Sequence, residues 1–174
     1  MNPSIALLSR RLLIILWATF ILLPVTDIFL WLCVSILDWP WFEASFPIEV
    51  SLPLNHNQAL LGLIPGMMPS IVVMAICWQL IVLFRLYKQN LVFTLPNVAC
   101  FRKIANLLIA LPFVGFIANA LLTMALSYSM EEFQVRVDIT DSDFAVLLIG
   151  LVAKVIARVM QEAVTIREEQ DLTI

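Results

Sequence analysis

Residues 84–103 read FRLYKQNLVFTLPNVACFRK, and the placement of this stretch decides the fold. It is the longest break in apolar sequence that also carries a cluster of positive charge, and it divides the chain into comparable halves. On each side lie two apolar runs long enough to cross a bilayer. The stretch therefore reads as a turn on the cytoplasmic side, with one helix arriving and the next leaving. Arg85, Tyr87 and Lys88 continue the arriving helix, Gln89 and Asn90 stop it, and Asn90 suits a left-handed cap. Thr94 suits the next N-cap, with Pro96 tolerated in the first turn. Val98, Phe101 and Ala105 form an apolar face at helical spacing, while Arg102 and Lys103 face outward. The apolar residues 91–93, ending in Phe93, are expected to dip back against the helices.

Composition agrees with this placement. Of 174 residues, 62% are apolar and 13% charged, whereas a soluble domain has about 45–50% and about 25%. With a mean hydropathy of +0.99, such a chain can bury its apolar surface only in a lipid bilayer. The ten Lys and Arg residues are too few and too scattered for a nucleic-acid surface, so no direct nucleic-acid binding is expected. Cys33, Cys77 and Cys100 lack the spacing of a disulfide framework or zinc site. His56 stands in a loop without acidic, Cys or His neighbours at ligand spacing. Four glycines leave little for a phosphate-cradling loop, and no nucleophile or metalloprotease motif occurs. No enzyme activity, metal or cofactor is expected.

The spans read as residues 12–37, 59–84, 104–127 and 144–162, in one membrane domain. Pro24, Pro65, Pro69 and Pro112 fall inside them, where neighbouring helices must cover the freed carbonyls. The fourth is the least apolar, because Lys154 and Arg158 interrupt it and Glu162 follows at the same spacing. It begins at a capping-box-like Thr140-Asp141-Ser142-Asp143. In the two loops, 38–58 and 129–143, apolar residues alternate: Phe46, Ile48, Val50, Leu52 and Leu54 in one, Phe133, Val135, Val137 and Ile139 in the other. That is a strand period, so a small antiparallel sheet is expected there, with Glu49 near Arg136. Nine of the ten Lys and Arg residues, all but Arg136, fall on or near one side if both termini share it. The expected fold is an all-α membrane protein of four transmembrane helices with both termini cytoplasmic and a β element in the extracytoplasmic loops.

Asp27 is the sharpest single residue, since a carboxylate inside a span is costly. Counted from the inner ends, Asp27, Ser70 and Asn119 fall at a common depth in the outer half of the bilayer. They are expected to form a polar layer in which Asp27 bonds Asn119 or Ser70. One reading of it is a proton- or cation-responsive site; the other is a structural contact, or a carboxylate within reach of external water. Gly62, Gly66 and Ser70, four apart, permit close helix approach, either within the chain or in a homo-oligomer. The basic loop 85–103 shares its compartment with an acidic tail, 163–174, that carries Glu168, Glu169 and Asp171. The tail is expected either to fold over the loop or to grip a cytoplasmic partner together with it.

At these residues the sequence resembles a family of small bacterial four-span membrane proteins catalogued as a domain of unknown function. Its turn reads Tyr-x-x-Gly-x-x-Phe-Ser/Thr and its end reads acidic-Leu-Thr-Ile. Tyr87, Phe93, Thr94, Asp171, Leu172, Thr173 and Ile174 match that pattern, and Asn90 takes the glycine position. Members are commonly encoded beside a small helix-turn-helix regulator. The resemblance therefore implies a regulatory or sensory protein of the bacterial inner membrane that binds such a regulator through the loop and tail. A small transporter or oligomeric pore using Asp27, or a scaffold subunit of a larger membrane complex, remains the alternative.

Overall fold

The computed structural model describes residues 3–35, 46, 48, 54–89, 94–128, 135–137 and 139–171. Four helices occupy them: α1 (Pro3–Ser35), α2 (His56–Lys88), α3 (Leu95–Ser127) and α4 (Asp141–Asp171). The first three each have 33 residues, a length of about 50 Å that exceeds the ~30 Å hydrocarbon core. Arg11–Cys33, His56–Lys88 and Leu95–Ser127 are apolar enough to cross a membrane.

α4 is not among these, although a span was expected over 144–162. Asp143 and Lys154 bracket its longest uncharged run, residues 144–153. Ten residues rise only about 15 Å, half a hydrocarbon core. The expected sheet is also not found: no strand occurs among the described residues. Most of the two alternating segments, Glu49 included, lies outside them.

Local signals set the helix ends. The Asn55 N–H donates to Gln58 Oε1 at 3.1 Å, one arm of a capping box at the start of α2. At α4 the Asp143 carboxylate accepts from both the Thr140 N–H (2.9 Å) and the Thr140 hydroxyl (2.8 Å). α2 stops at Lys88, with Gln89 as its C-cap at φ −86° and its N–H on the Leu86 carbonyl at 3.0 Å. Thr94 occupies the N-cap position of α3 with extended backbone, but its Oγ1 is buried without a hydrogen-bond partner.

The helices form an open row. α1 packs on α2, α2 on α3 and α3 on α4; no other pair packs together among the described residues. Lipid can solvate the remaining apolar faces, so nothing drives the row to close. Small residues fix the contacts. A β-carbon on Gly150 would lie 3.0 Å from the Ile109 backbone nitrogen, so the α4 backbone abuts that of α3 with no room for a side chain there. Gly150, Ala157 and Val164, seven apart and all buried, form the seam of α4 against α3. Gln58 clasps the far end of the α2–α3 pair, its buried Nε2 donating to the Leu126 carbonyl at 2.7 Å.

These contacts set a common register. Gly62 meets Trp31 and Leu122, and Gly150 meets Leu108 and Ile109. Counting along the antiparallel helices, Asp27, Gly66, Ala118 and Asp141 stand at about one level. α4 therefore starts about 13 Å below the end of α3. Its lower end overhangs the start of α3, because Val164 comes opposite Leu95 and the helix continues to Asp171.

Candidate functional site

Asp27 lies on the stripe of α1 that faces α2, with Phe20, Leu23 and Pro24 before it and Trp31 one turn on. The Trp31 indole lies across Gly62 and Gly66, with ring carbons 2.9 and 3.5 Å from where β-carbons would sit. Its Nε1 donates to the Ala59 carbonyl at 3.1 Å, beside the stretch of α2 that Pro65 and Pro69 make irregular. Phe46, from the connection between α1 and α2, stands edge-on to Trp31 at 6.3 Å between ring centres. Beside these rings is a cavity of about 200 Å³, lined by Asp27, Leu30, Trp31, Phe46, Leu63, Gly66 and Met67. Asp27 Oδ2 is buried there and has no hydrogen-bond partner.

The expected polar layer is thus not assembled. Asn119 is about level with Asp27, but α2 stands between α1 and α3. Ser70, four residues beyond Gly66 on α2, lies about one turn closer to the basic end. Counting from sequence landmarks put Asp27 and Asn119 at one level along the helices but could not see that the row keeps their helices apart. Trp31 and Phe46 were missed as parts of this site. Trp31 was findable, because a residue four after Asp27 shares its helix face; Phe46 depends on a long-range contact that no local pattern announces.

The opposite end holds the basic residues. Arg85 places its guanidinium 5.6 Å from the Trp17 ring centre, a cation–π contact between α2 and α1. Trp17, Phe20 and Trp78 cluster there with ring centres about 6 Å apart. Tyr87 is half-buried, edge-on to Phe84 at 5.8 Å, and packs on the Leu83–Cys100–Ile104 core between α2 and α3. Lys88, Arg102 and Lys103 are exposed. On α4, Arg158 and Glu162 pair at 3.4 Å in the open, a contact of little energetic weight. Glu169 is exposed further along the same helix. Asn90, Phe93, Leu172, Thr173 and Ile174 lie outside the described residues, as do the side chains of Glu168 and Asp171. The structure therefore brings Arg85, Tyr87, Lys88, Thr94, Arg102 and Lys103 to one end but does not describe the turn joining them.

No curated protein and no solved structure matches the chain. Residues 34–174, most of the chain from the end of α1 onward, match one family. The chain belongs to the family described as "Protein of unknown function (DUF2975)".

Proposed function

We propose that this is a non-enzymatic, multi-pass protein of a bacterial inner membrane that acts by docking a cytoplasmic partner on its basic end. In this reading α4 also crosses the bilayer. Lys154 and Arg158 lie on the half of α4 that packs beside the start of α3, where long side chains reach the headgroups. Both termini then lie in the cytoplasm. The observation that carries the reading is the overhang of α4. Beyond Val164 the helix has no α3 left to pack against, yet it continues to Asp171 with Arg167 and Glu169 exposed. A charged helical extension beside exposed Lys88, Arg102 and Lys103 offers a partner both signs of charge at once. The family resemblance implies a small helix-turn-helix regulator as that partner.

The test is coexpression with a regulator encoded next to the gene, followed by membrane fractionation and pull-down. The reading expects the regulator in the membrane fraction, and its release when residues 165–174 are deleted or Arg102 and Lys103 are both replaced by Glu. A regulator that stays soluble beside the intact protein contradicts it.

A further inference from the structure

We infer that the cavity between α1 and α2 is a binding site for a small organic monocation, an ammonium group carried on an apolar body. The inference is independent of partner docking at the other end of the helices. It starts from Asp27 Oδ2, which is buried without a partner. A buried carboxylate oxygen left unpaired is costly, and a donor from outside the chain would relieve that cost. The side-chain donor among the lining residues, Trp31 Nε1, is already engaged by the Ala59 carbonyl.

The rest of the lining selects the kind of donor. Leu30, Leu63 and Met67 are apolar, and Trp31 and Phe46 bring two aromatic rings set edge to face. Aromatic faces attract a cation, and apolar walls favour a cation that carries hydrocarbon. A hard inorganic ion wants about six or more oxygen ligands, and this cavity offers one carboxylate. Its size fits as well. A benzene-sized group needs roughly 150 Å³, and about 200 Å³ leaves room for a short ammonium-bearing arm. Phe46 belongs to the connection at the end opposite the basic turn, so the cavity lies toward that end of the helices. The ammonium group can come from a free amine or from a phosphatidylethanolamine headgroup.

The experiment uses the full chain in phosphatidylglycerol nanodiscs, titrated calorimetrically with 2-phenylethylammonium and with its neutral analogue 2-phenylethanol. Empty discs give the background. We expect saturable binding of the cation alone, weakened at least about tenfold by Asp27→Asn. Met67→Trp, which fills the cavity and keeps the carboxylate, should abolish it. Repetition in discs containing phosphatidylethanolamine separates the sources. Weaker apparent binding there identifies the headgroup as occupant; unchanged binding identifies a free amine. No saturable binding, equal binding of 2-phenylethanol, or binding indifferent to Asp27→Asn in a folded protein overturns the inference.

Discussion

A β-carbon on Gly62 would lie 2.9 Å from two ring carbons of Trp31 and 3.3 Å from Leu122, so three helices meet over one missing side chain. The contact ties the register of α1 and of α3 to the same residue of α2.

Gly62→Ala should therefore destabilise the protein, because the indole is anchored by its bond to Ala59 and cannot swing away. Overpacking of this kind costs about 1–3 kcal/mol. Gly66→Ala, whose β-carbon would meet Trp31 at an ordinary 3.5 Å, should be nearly neutral. Thermal unfolding in detergent compares the two, and equal effects would show that Trp31 does not sit as described.

A second glycine contrast isolates α4. Gly150→Ala would press a β-carbon against the Ile109 backbone, which has no rotamer with which to yield. Gly115→Ala, with nothing within 4 Å, is the control. Gly150→Ala should lower the unfolding temperature and loosen α4, read as faster amide exchange over residues 146–164. Gly115→Ala should do neither.

Gln58 is buried and joins the start of α2 to the end of α3. Gln58→Leu leaves the Leu126 carbonyl without its side-chain donor and should cost about 1–3 kcal/mol. Gln58→Glu should cost more, since a carboxylate cannot donate to that carbonyl and would be buried beside it. Denaturation of both variants against the parent checks the order.

The cap of α4 can be removed separately. Asp143→Ala deletes the acceptor for the Thr140 N–H and hydroxyl and should cost about 1 kcal/mol. The loss should appear as fraying of the first turn of α4, seen as amide exchange confined to residues 141–145. A global drop in stability without local fraying would mean the cap is not what holds that turn.

Much of this architecture was legible in the sequence, for identifiable reasons. Long apolar runs separated by charge announce helices, and Thr94-Leu95-Pro96 and Thr140–Asp143 announce where two of them start. What the sequence could not disclose was which helices touch. α1, α2 and α3 are apolar on nearly every face, so periodicity points in no direction and an open row reads like a closed bundle. That is why Asp27 and Asn119 could be placed at one depth yet wrongly joined. The short uncharged run of α4 was visible in the positions of Asp143 and Lys154. The shift of α4 along α3, by contrast, depends on the Gly150–Ile109 contact. The alternation at Phe46 and Ile48 suggested a strand, whereas these two residues pack with Leu54, Ala59 and Leu126 over the helix ends. Burial on one side gives the same period as a strand without needing its hydrogen bonds.

In the proposed topology the basic turn faces the cytoplasm and the Asp27 cavity lies toward the opposite side of the membrane. The most direct test of that topology is cysteine labelling in intact cells with a membrane-impermeant maleimide. Asn57→Cys and Lys103→Cys would each be made in a chain whose three buried cysteines are replaced. In that topology position 57 labels in intact cells, and position 103 labels only after the membrane is opened. Labelling of position 103 in intact cells, with position 57 protected, would contradict it.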